Sequence, residues 1–567
     1  MTLPPYDTLD TDVLILGSGG AGLCAALHLA DARPAPRVLM AVKGLFGKSG
    51  CTRMVQGGYN VVLRQPDSLE AHFRDTVSGG QWLNDQELAW LLVKEAPGRV
   101  LELENRAGCF FDRNPDGTVH QKPFAGQTHD RTVHKGDLTG IEIVNRLSEQ
   151  VAATPNTTVL EEVRAVELLQ SHGGGRIVGA LLLDQRTGRF VAVNARATLL
   201  ATGGGPTMYR IAAPCHDKTC DGIAMAWRAG ATLMDMEMVQ FHPTGLLAAN
   251  AQITGTVLEE GLRGAGAHLR NALGERFMGR YDAREERATR DVVSRSSYME
   301  LMAGRGTPEG GVWLDISHLG ADFVLKNFRG MTLRCRDVGY DLATEPVLVS
   351  PTAHFLMGGV VIDTQCRAGL EGLYVAGEDA GGVHGANRLG GNGVAESTVF
   401  GGLAGDVIAA RLPESPLVPW DASHVALAME HCLAPFRRGE APPVYPLRER
   451  LRELMWVKAG LVRDAGQLAE AAAGLADLRE GWRQAGVPGG PAYNLAWMDW
   501  LNLENWLEVC ETIVAGATAR SESRGSHYRS DHPQHGGGTP YNLLLRRGEA
   551  TERRPVRFTR LRPDGAA

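Results

Sequence analysis

Three glycines near the N-terminus have the spacing of a dinucleotide-binding turn. Gly17, Gly19 and Gly22 follow an apolar, strand-like run at 11–16 and precede an Ala- and Leu-rich, helix-like run at 23–30. In this order, glycines allow a tight turn, close approach to a pyrophosphate and close packing of helix on strand. The helix N-terminus adds partial positive charge. This context favours dinucleotide binding over a purely structural glycine turn.

A second glycine-rich block contains an arginine. Residues 385–393 read Gly-Ala-Asn-Arg-Leu-Gly-Gly-Asn-Gly and lead into an apolar, helix-like run at 394–404. Backbone N–H groups and the helix dipole favour negative charge at such an N-terminus, which suits an anionic edge of a flavin. Arg388 within the block favours this interpretation over a simple loop that caps a helix.

The strand-like run at 37–42 ends in Val42 and Lys43, where an NAD site would place a ribose-binding acid. An FAD site tolerates the absence of this acid better than an NAD site does. We therefore expect FAD as the cofactor.

The composition excludes several classes of protein. Of 567 residues, 44% are hydrophobic and 22% charged, which is ordinary for a globular protein. The net charge of −7 provides no basic field for nucleic acid. No window has the roughly 18 uninterrupted apolar residues of a membrane span, so direct membrane insertion is not expected. The cysteines include no C-x-x-C pair, and Cys215 and Cys220 are wrongly spaced for an iron–sulfur or zinc site, so we expect no metal.

The strand-like runs that must position these blocks are far apart in the chain. A third run, 197–201, ends in Thr202 and glycines, and a fourth, 373–376, ends in Gly377 and Glu378. They predict an α/β fold, a Rossmann-like FAD-binding domain with an inserted α+β capping domain and a helical C-terminal domain. The predicted segments are the FAD-binding domain, first part (1–243), the capping domain (244–345), the FAD-binding domain, second part (346–412), and the helical C-terminal domain with a polar tail (413–567).

Periodicity places the C-terminal helices at 447–455, 468–479 and 502–520. The basic stretch at 546–562 is expected to be a solvated surface within the polar tail.

Four stretches of the sequence resemble those of a known family. They are Asp-Met-Glu-Met-Val-Gln-Phe-His-Pro-Thr-Gly at 235–245, His-Phe-Leu-Met-Gly-Gly at 354–359, Gly-Glu at 377–378 and His-Gly-Ala-Asn-Arg-Leu-Gly-Gly-Asn at 384–392. The chain resembles the flavoprotein subunits of succinate dehydrogenase and fumarate reductase, in a superfamily shared with L-aspartate oxidase. The similarity runs in order from Thr11 to about Pro533. It implies hydride exchange between flavin N5 and a small dicarboxylate.

The resemblance assigns the substrate-binding residues by position. His242, His354 and Arg388 match the family's binders of substrate carboxylates. The chemistry agrees, because a four-carbon dianion needs cationic or donor groups at both ends and an arginine binds a carboxylate bidentately.

The resemblance also assigns a proton path. Arg290, in Thr-Arg-Asp-Val-Val at 289–293, matches the arginine that exchanges a proton with the substrate carbon, and Glu260 and Arg263 match its relay pair. Because arginine side chains have pKa values above about 12, such an acid must be reprotonated by a neighbour. Taken singly, Arg290 could be a surface partner of Asp291, and Glu260 a solvated helix charge.

The glycine blocks and the resemblance together predict a set of FAD contacts. These residues are Gly17, Gly19, Gly20, Gly22, Lys43, Ser49, Cys51, Thr52, Gln56, Gly57, Gly58, Thr202, Gly203, Asp221, Glu378, Arg388 and Asn392.

Cys51 departs from the family pattern. In respiratory members, a histidine bonded covalently to the flavin stands five residues before a Gln-Gly-Gly run, and Cys51 holds that place before Gln56 here. We therefore expect FAD to be bound non-covalently. A thioether through Cys51 and a merely packed thiol are the alternatives.

Glu259 is the second departure, because it replaces a substrate-binding threonine. An ionised carboxylate beside a bound carboxylate would repel it. Glu259 must therefore be protonated, turned away, or matched to a positive group on the substrate. The ammonium group of aspartate would be such a partner, so L-aspartate oxidase stays an alternative.

The leading hypothesis is a flavoprotein subunit that interconverts fumarate and succinate and exchanges electrons with an iron–sulfur partner subunit. The alternatives are an L-aspartate oxidase, which converts aspartate to iminoaspartate, and a flavin-binding scaffold without turnover. The first strand-like run begins too early for an export signal. We expect a cytoplasmic protein, held at the inner face of the membrane by partner subunits.

Overall fold

The computed structural model describes residues 4–248, 251–438, 441–536 and 538–563. The predicted domain ranges also include residues 1–3, 249–250, 439–440, 537 and 564–567, which lie outside the described residues. The strands are β1 (Asp7–Leu16), β2 (Val38–Val42), β3 (Tyr59–Asn60), β4 (Gln121–Lys122), β5 (Thr132–Val133), β6 (Thr157–Glu161), β7 (Val163–Gln170), β8 (Ile177–Asp184), β9 (Phe190–Leu200), β10 (Leu233–Met234), β11 (Val239–Leu246), β12 (His268–Arg270), β13 (Val312–Asp315), β14 (Val347–Leu356), β15 (Gly359–Val360), β16 (Leu373–Val375), β17 (Tyr541–Leu545) and β18 (Glu552–Pro555). The helices are α1 (Gly20–Asp31), α2 (Leu69–Gly79), α3 (Gln86–Asn105), α4 (Thr139–Ala152), α5 (Asp221–Arg228), α6 (Gly261–Ala265), α7 (Arg290–Met302), α8 (Ala321–Asn327), α9 (Arg329–Arg336), α10 (Asn392–Arg411), α11 (Ala422–Leu433), α12 (Tyr445–Lys458), α13 (Ala465–Gln484) and α14 (Leu495–Ala519).

The largest sheet carries the glycine fingerprint. Its strand order is β6-β2-β1-β9-β8-β7. Strand β16 also pairs with β9, at residues 198–200, whereas β8 pairs with residues 190–194. Strands β6, β2, β1, β9 and β16 run parallel, whereas β7 and β8 add an antiparallel extension. Residues 13–16 of β1 are buried, as expected for a central strand covered on both faces. The predicted Rossmann-like core is confirmed, and β6 to β8 are strands that the sequence analysis did not identify.

Helices α1 and α10 pack closely through small residues. A Cβ added at Gly401 in α10 would lie 2.3 Å from the carbonyl oxygen of Ala21 in α1, and one at Gly405 would lie 2.7 Å from that of Ala25. Only glycine permits such approaches. The packing brings the starts of both helices to one cleft.

A second sheet belongs to the inserted segment. It has the antiparallel order β11-β14-β13-β12. Its own hydrophobic core, separate from that of the parallel sheet, includes Leu246, Leu314 and Val347. Strand β11 runs across the predicted boundary at residue 244, and β14 begins just after the boundary at 345. These boundaries stay a prediction.

Helices α11 to α14 confirm the helical C-terminal region. The predicted helices at 447–455 and 468–479 lie within α12 and α13, and α14 ends one residue before the predicted limit at 520. The expected polar tail, however, contains strands β17 and β18, which extend a sheet of order β15-β10-β17-β18. Asn542 Nδ2 donates a hydrogen bond of 2.6 Å to Asp235 Oδ2, deep in the fold. Strand β17 is buried along most of its length, although the tail that contains it is rich in charged residues.

Two kinds of feature are absent from the part of the chain that the structure describes. None of its helices has both the length and the apolar character needed to cross a membrane. No group of three or more His, Cys, Asp or Glu side chains is arranged to hold a metal ion there.

Candidate active site

A long cleft runs from the glycine fingerprint to the inserted segment. Its lining runs from Gly17 and Lys43 at one end to His242, Arg290 and His354 at the other. The cleft therefore joins the predicted cofactor region to the predicted substrate region. The predicted cofactor residues that line it are Gly17, Gly19, Gly20, Lys43, Ser49, Cys51, Thr52, Gln56, Gly57, Gly58, Thr202, Gly203, Asp221, Glu378 and Arg388.

The starts of two helices open toward this cleft. Gly17 has a φ of 108°, and a Cβ there would lie 2.3 Å from the carbonyl oxygen of Ala201. Helix α1 has Gly19 and helix α10 has Gly391 at the N-cap, neither of which offers a capping side chain, and in α1 the N–H of Gly20 donates to Thr52 Oγ1 at 3.0 Å. Uncapped N–H groups and a helix dipole bind phosphate and other anions. This glycine cradle therefore fits a dinucleotide cofactor.

Lys43 takes part in a buried charge network at the cleft wall. Its Nζ donates hydrogen bonds of 2.8 Å to Asp221 Oδ2 and 2.9 Å to Asn502 Oδ1. Arg164 donates one of 3.0 Å to the other oxygen of Asp221. Burial raises the pKa of Asp221, but the charges of Lys43 and Arg164 outweigh burial and lower it. Asp221, at the start of α5, therefore places a paired carboxylate beside the end of β2.

Asp379, which the sequence analysis did not single out as a site residue, fixes the turn after β9. Its carboxylate accepts hydrogen bonds of 2.9 Å from Thr202 Oγ1 and 2.9 Å from the backbone N–H of Gly203. Burial raises the pKa of Asp379 to about 6. The neighbouring Glu378 pairs with Lys218 in the same wall.

Two predicted cofactor residues do not line the cleft. Gly22 lies against the backbone of Gly17, where it serves helix packing. Asn392 is fully buried, and its amide bonds Thr76 Oγ1 at 3.1 Å and Asn60 Nδ2 at 2.8 Å. The Asn392 side chain therefore holds the start of α10, and a contact between Asn392 and the cofactor stays a prediction.

The three predicted proton-transfer residues form one chain of ion pairs. Arg290 NH2 lies 2.6 Å from Glu260 Oε2, and Arg263 NH2 lies 3.6 Å from Glu260 Oε1. All three side chains are buried. Burial raises the pKa of Glu260, but the charges of Arg290 and Arg263 outweigh burial and lower it. Arg290 and Glu260 line the cleft, and Arg263 lies behind them.

His242 and His354 face the same end of the cleft, with ring centroids 5.5 Å apart. The backbone N–H of Thr244 donates to His242 Nδ1 at 3.3 Å, so Nε2 carries the proton of the neutral ring. His354 Nδ1 has no partner among the described residues. Burial and nearby arginines hold the pKa values of both histidines well below the usual value. Both rings are therefore neutral hydrogen-bond donors at neutral pH.

Arg388 is a buried cation, and its Nε has no hydrogen-bond partner among the described residues. Its guanidinium carbon lies 4.4 Å from the centre of the Phe355 ring, and NH1 donates to Leu389 O at 3.3 Å. Burial, followed by the charge of Arg290, lowers the pKa of Arg388 to about 9. An anion bound between Arg388 and Arg290 would compensate the repulsion between their positive charges.

Glu259 is paired with Lys122 at the edge of the cleft. The carboxylate is only 5% exposed. Burial raises the pKa of Glu259, and Lys122 opposes that shift. The protein itself therefore supplies a positive group beside Glu259. No local sequence pattern marks Lys122 as this partner, because 137 residues separate the two.

The cleft combines a dinucleotide cradle on a parallel sheet with a buried anion-binding end and a chain of ion pairs. Together these features define a flavin-dependent oxidoreductase. The FAD binding domain family matches residues 12–394, and the Fumarate reductase flavoprotein C-term family matches residues 448–563. The chain belongs to the family of succinate dehydrogenase and fumarate reductase flavoprotein subunits, and it binds FAD.

Individual relatives agree with this assignment. A fumarate reductase (CoM/CoB) subunit of Methanothermobacter marburgensis is 42% identical over 541 residues, which cover 95% of this chain and 97% of the relative. L-aspartate oxidase of Yersinia pestis is 35% identical over 537 residues, covering 92% and 96%. A variant of the E. coli quinol fumarate reductase FrdA has a solved structure with a TM-score of 0.92, 30% identity and 98% coverage of each chain.

Replacing Gly17 with alanine should remove most of the bound FAD. The new Cβ would be forced into a left-handed backbone conformation and against the backbone of Ala201. Flavin absorbance per polypeptide measures the loss. Gly98→Ala is the matched control, because a Cβ at this position in helix α3 meets nothing within 4 Å. A Gly17→Ala protein with the same flavin content as Gly98→Ala would contradict the assigned cradle.

Denaturation in acid should release FAD into the supernatant. The prediction follows from Cys51, which stands where the covalently bonding histidine of respiratory relatives is expected. Flavin fluorescence in the supernatant and in the precipitated polypeptide measures the partition. Flavin that stays with the polypeptide would overturn non-covalent binding.

Proposed function

We propose that the protein interconverts fumarate and succinate as the flavoprotein subunit of a succinate dehydrogenase/fumarate reductase-type complex. One observation carries the proposal: the Arg290–Glu260–Arg263 chain reaches the cleft beside two neutral histidines and the buried Arg388. This arrangement suits a small dianion that gains or loses a proton on carbon.

The basic residues at the cleft end bind and orient the substrate. Bound FAD supplies the acceptor or donor of a hydride at flavin N5. Arg388 binds one carboxylate bidentately, and His242 and His354 donate hydrogen bonds to carboxylate oxygens. Fixing both ends of the substrate lowers the entropic barrier. Withdrawing charge toward one carboxylate makes the olefinic carbon a better hydride acceptor.

Arg290 carries the proton. In fumarate reduction, its guanidinium protonates the second olefinic carbon, and Glu260 returns the proton through the 2.6 Å contact. Arg263, 3.6 Å from the other Glu260 oxygen, continues the path away from the cleft. Succinate oxidation uses the same residues in reverse.

The Glu259–Lys122 pair favours a dicarboxylate without an ammonium group. Lys122 neutralises the carboxylate that would otherwise repel the substrate. L-aspartate oxidase is the alternative, supported by the 35% identity to the Yersinia pestis enzyme. An iron–sulfur protein is the proposed electron partner, since a relative of nearly the same length is named as one subunit of a fumarate reductase. Partner subunits would also hold the protein at the inner face of the membrane.

A substrate panel separates the two enzymes. The purified FAD-loaded protein is assayed for dye reduction with succinate, for oxidation of reduced dye with fumarate, and for hydrogen peroxide with L-aspartate. We expect activity with fumarate and succinate only. Hydrogen peroxide from aspartate without succinate-dependent dye reduction would refute the fumarate/succinate assignment.

A further inference from the structure

Two cysteines face each other on the wall of the flavin cleft. Cys51 begins a short 3-10 helix (Cys51–Met54), and Cys215 lies in the segment between β9 and α5. Their Sγ atoms are 3.6 Å apart, and the backbone N–H of Cys215 donates to Cys51 Sγ at 3.3 Å. Both residues line the cleft, although 164 residues separate them in the chain. The substrate site uses neither thiol.

These two thiols differ from the other seven, which are all buried. Burial raises the pKa of Cys24 to about 12, and that of Cys335 also to about 12. The hydrogen bond from Cys215 lowers the pKa of Cys51 to about 7, and the Lys218 ammonium adds to this effect against burial. Cys215 keeps its proton, because the neighbouring Cys51 and burial raise its pKa. A thiolate beside a protonated thiol is the arrangement that reacts in thiol–disulfide exchange.

We propose that Cys51 and Cys215 form a redox-active dithiol in the flavin cleft, which a low-molecular-weight disulfide oxidises to an intramolecular disulfide. The Cys51 thiolate attacks one sulfur of the small disulfide, its S–S bond breaks, and the leaving thiolate takes up a proton. Cys215 then loses its proton and attacks Cys51 Sγ of the mixed disulfide, which releases the second small thiolate. Two protein thiols are oxidised and one disulfide is reduced to two small thiols, so electrons and protons balance.

The two sulfurs lie close to bonding distance. A disulfide needs an S–S distance of about 2.05 Å, so the sulfurs must approach by about 1.5 Å. Gly50, which precedes Cys51, has a φ of 87° and has nothing within 4 Å of an added Cβ. Cys215 lies outside any helix or strand. The proposed bond therefore requires rotation of the two side chains together with a small shift of either segment.

Mass spectrometry of the FAD-loaded protein tests the proposal. The protein is treated with bis(2-hydroxyethyl) disulfide, quenched in acid, and alkylated with N-ethylmaleimide in denaturant. Trypsin separates the relevant residues, with Cys51 in peptide 49–53, Cys215 in 211–218 and Cys220 in 219–228. We expect peptides 49–53 and 211–218 to be joined, and alkylated thiols to fall from nine to seven per chain. Dithiothreitol should restore nine.

Two variants assign the roles of the cysteines. Cys215→Ser should stop at a mixed disulfide of 2-mercaptoethanol on Cys51. Cys220→Ser, a change at a buried thiol nearby, should still form the bond between Cys51 and Cys215. Nine alkylated thiols in the oxidised native protein, a disulfide between other cysteines, or flavin attached to peptide 49–53 would each overturn the proposal. Because the readout involves no dicarboxylate, its outcome is independent of the proposed substrate.

Discussion

Replacing Arg290 with glutamine should lower kcat for fumarate reduction by about 10³-fold, which corresponds to about 4 kcal/mol. Glutamine can still bond Glu260, but it cannot deliver a proton to the substrate carbon. The KM for fumarate should change much less, because Arg388 and the two histidines remain. Steady-state oxidation of reduced dye by fumarate measures both constants, and the flavin spectrum checks that FAD stays bound.

Arg295→Gln is the matched control for this change. Arg295 lies on the same helix, α7, but its guanidinium carbon is 4.7 Å from the Tyr528 ring, and it does not line the flavin cleft. We expect this variant to keep the native kcat. Native kcat in Arg290→Gln would refute Arg290 as the proton donor.

Replacing Lys122 with methionine should raise the KM for fumarate by about 10²-fold. The change leaves Glu259 buried without its cation, and its negative charge then faces the substrate dianion. Lowering the pH should partly reverse the effect, because protonation of Glu259 removes the repulsion. The KM for fumarate as a function of pH measures both effects.

The double variant Lys122→Met/Glu259→Gln isolates the charge. It should recover a KM within about tenfold of the native value, since neither partner then carries a charge. Glu259→Gln alone should not raise the KM, because the lysine charge that remains attracts the substrate. If the double variant binds fumarate as poorly as Lys122→Met, repulsion by Glu259 is not the cause.

The sequence was most informative where chemistry is local in the chain. The turn at Gly17 to Gly22 has its strand, its glycines and its helix in one continuous segment, so its structure could be predicted. The three C-terminal helices were similarly visible in their periodicity. The family resemblance added the residues at the cleft end, and the structure brings Arg290, Glu260 and Arg263 into contact.

Features that depend on distant partners could not be predicted. Lys122 meets Glu259 across 137 residues, and Cys215 meets Cys51 across 164. No local pattern marks either pair, because each contact exists only after the sheets have assembled. The side-chain partners of Asn392 are likewise distant in the chain, since its buried amide bonds Asn60 and Thr76.

The basic stretch at 546–562 is mostly exposed, as predicted, but the strand just before it could not be predicted from composition. Strand β18 is mostly exposed and strongly charged, so the segment resembles a solvated surface. Its partner β17 is buried along most of its length and pairs with β10. A single buried strand within a charged segment produces too short an apolar run to stand out.

The most direct test of hydride exchange with a dicarboxylate is an anaerobic single turnover of the isolated chain. The flavin is reduced chemically, excess reductant is removed, and fumarate is added while flavin absorbance is followed. We predict rapid return of the oxidised flavin spectrum and formation of one succinate per FAD, with no such return after addition of buffer alone. A reduced flavin that persists in the presence of saturating fumarate would contradict the assignment.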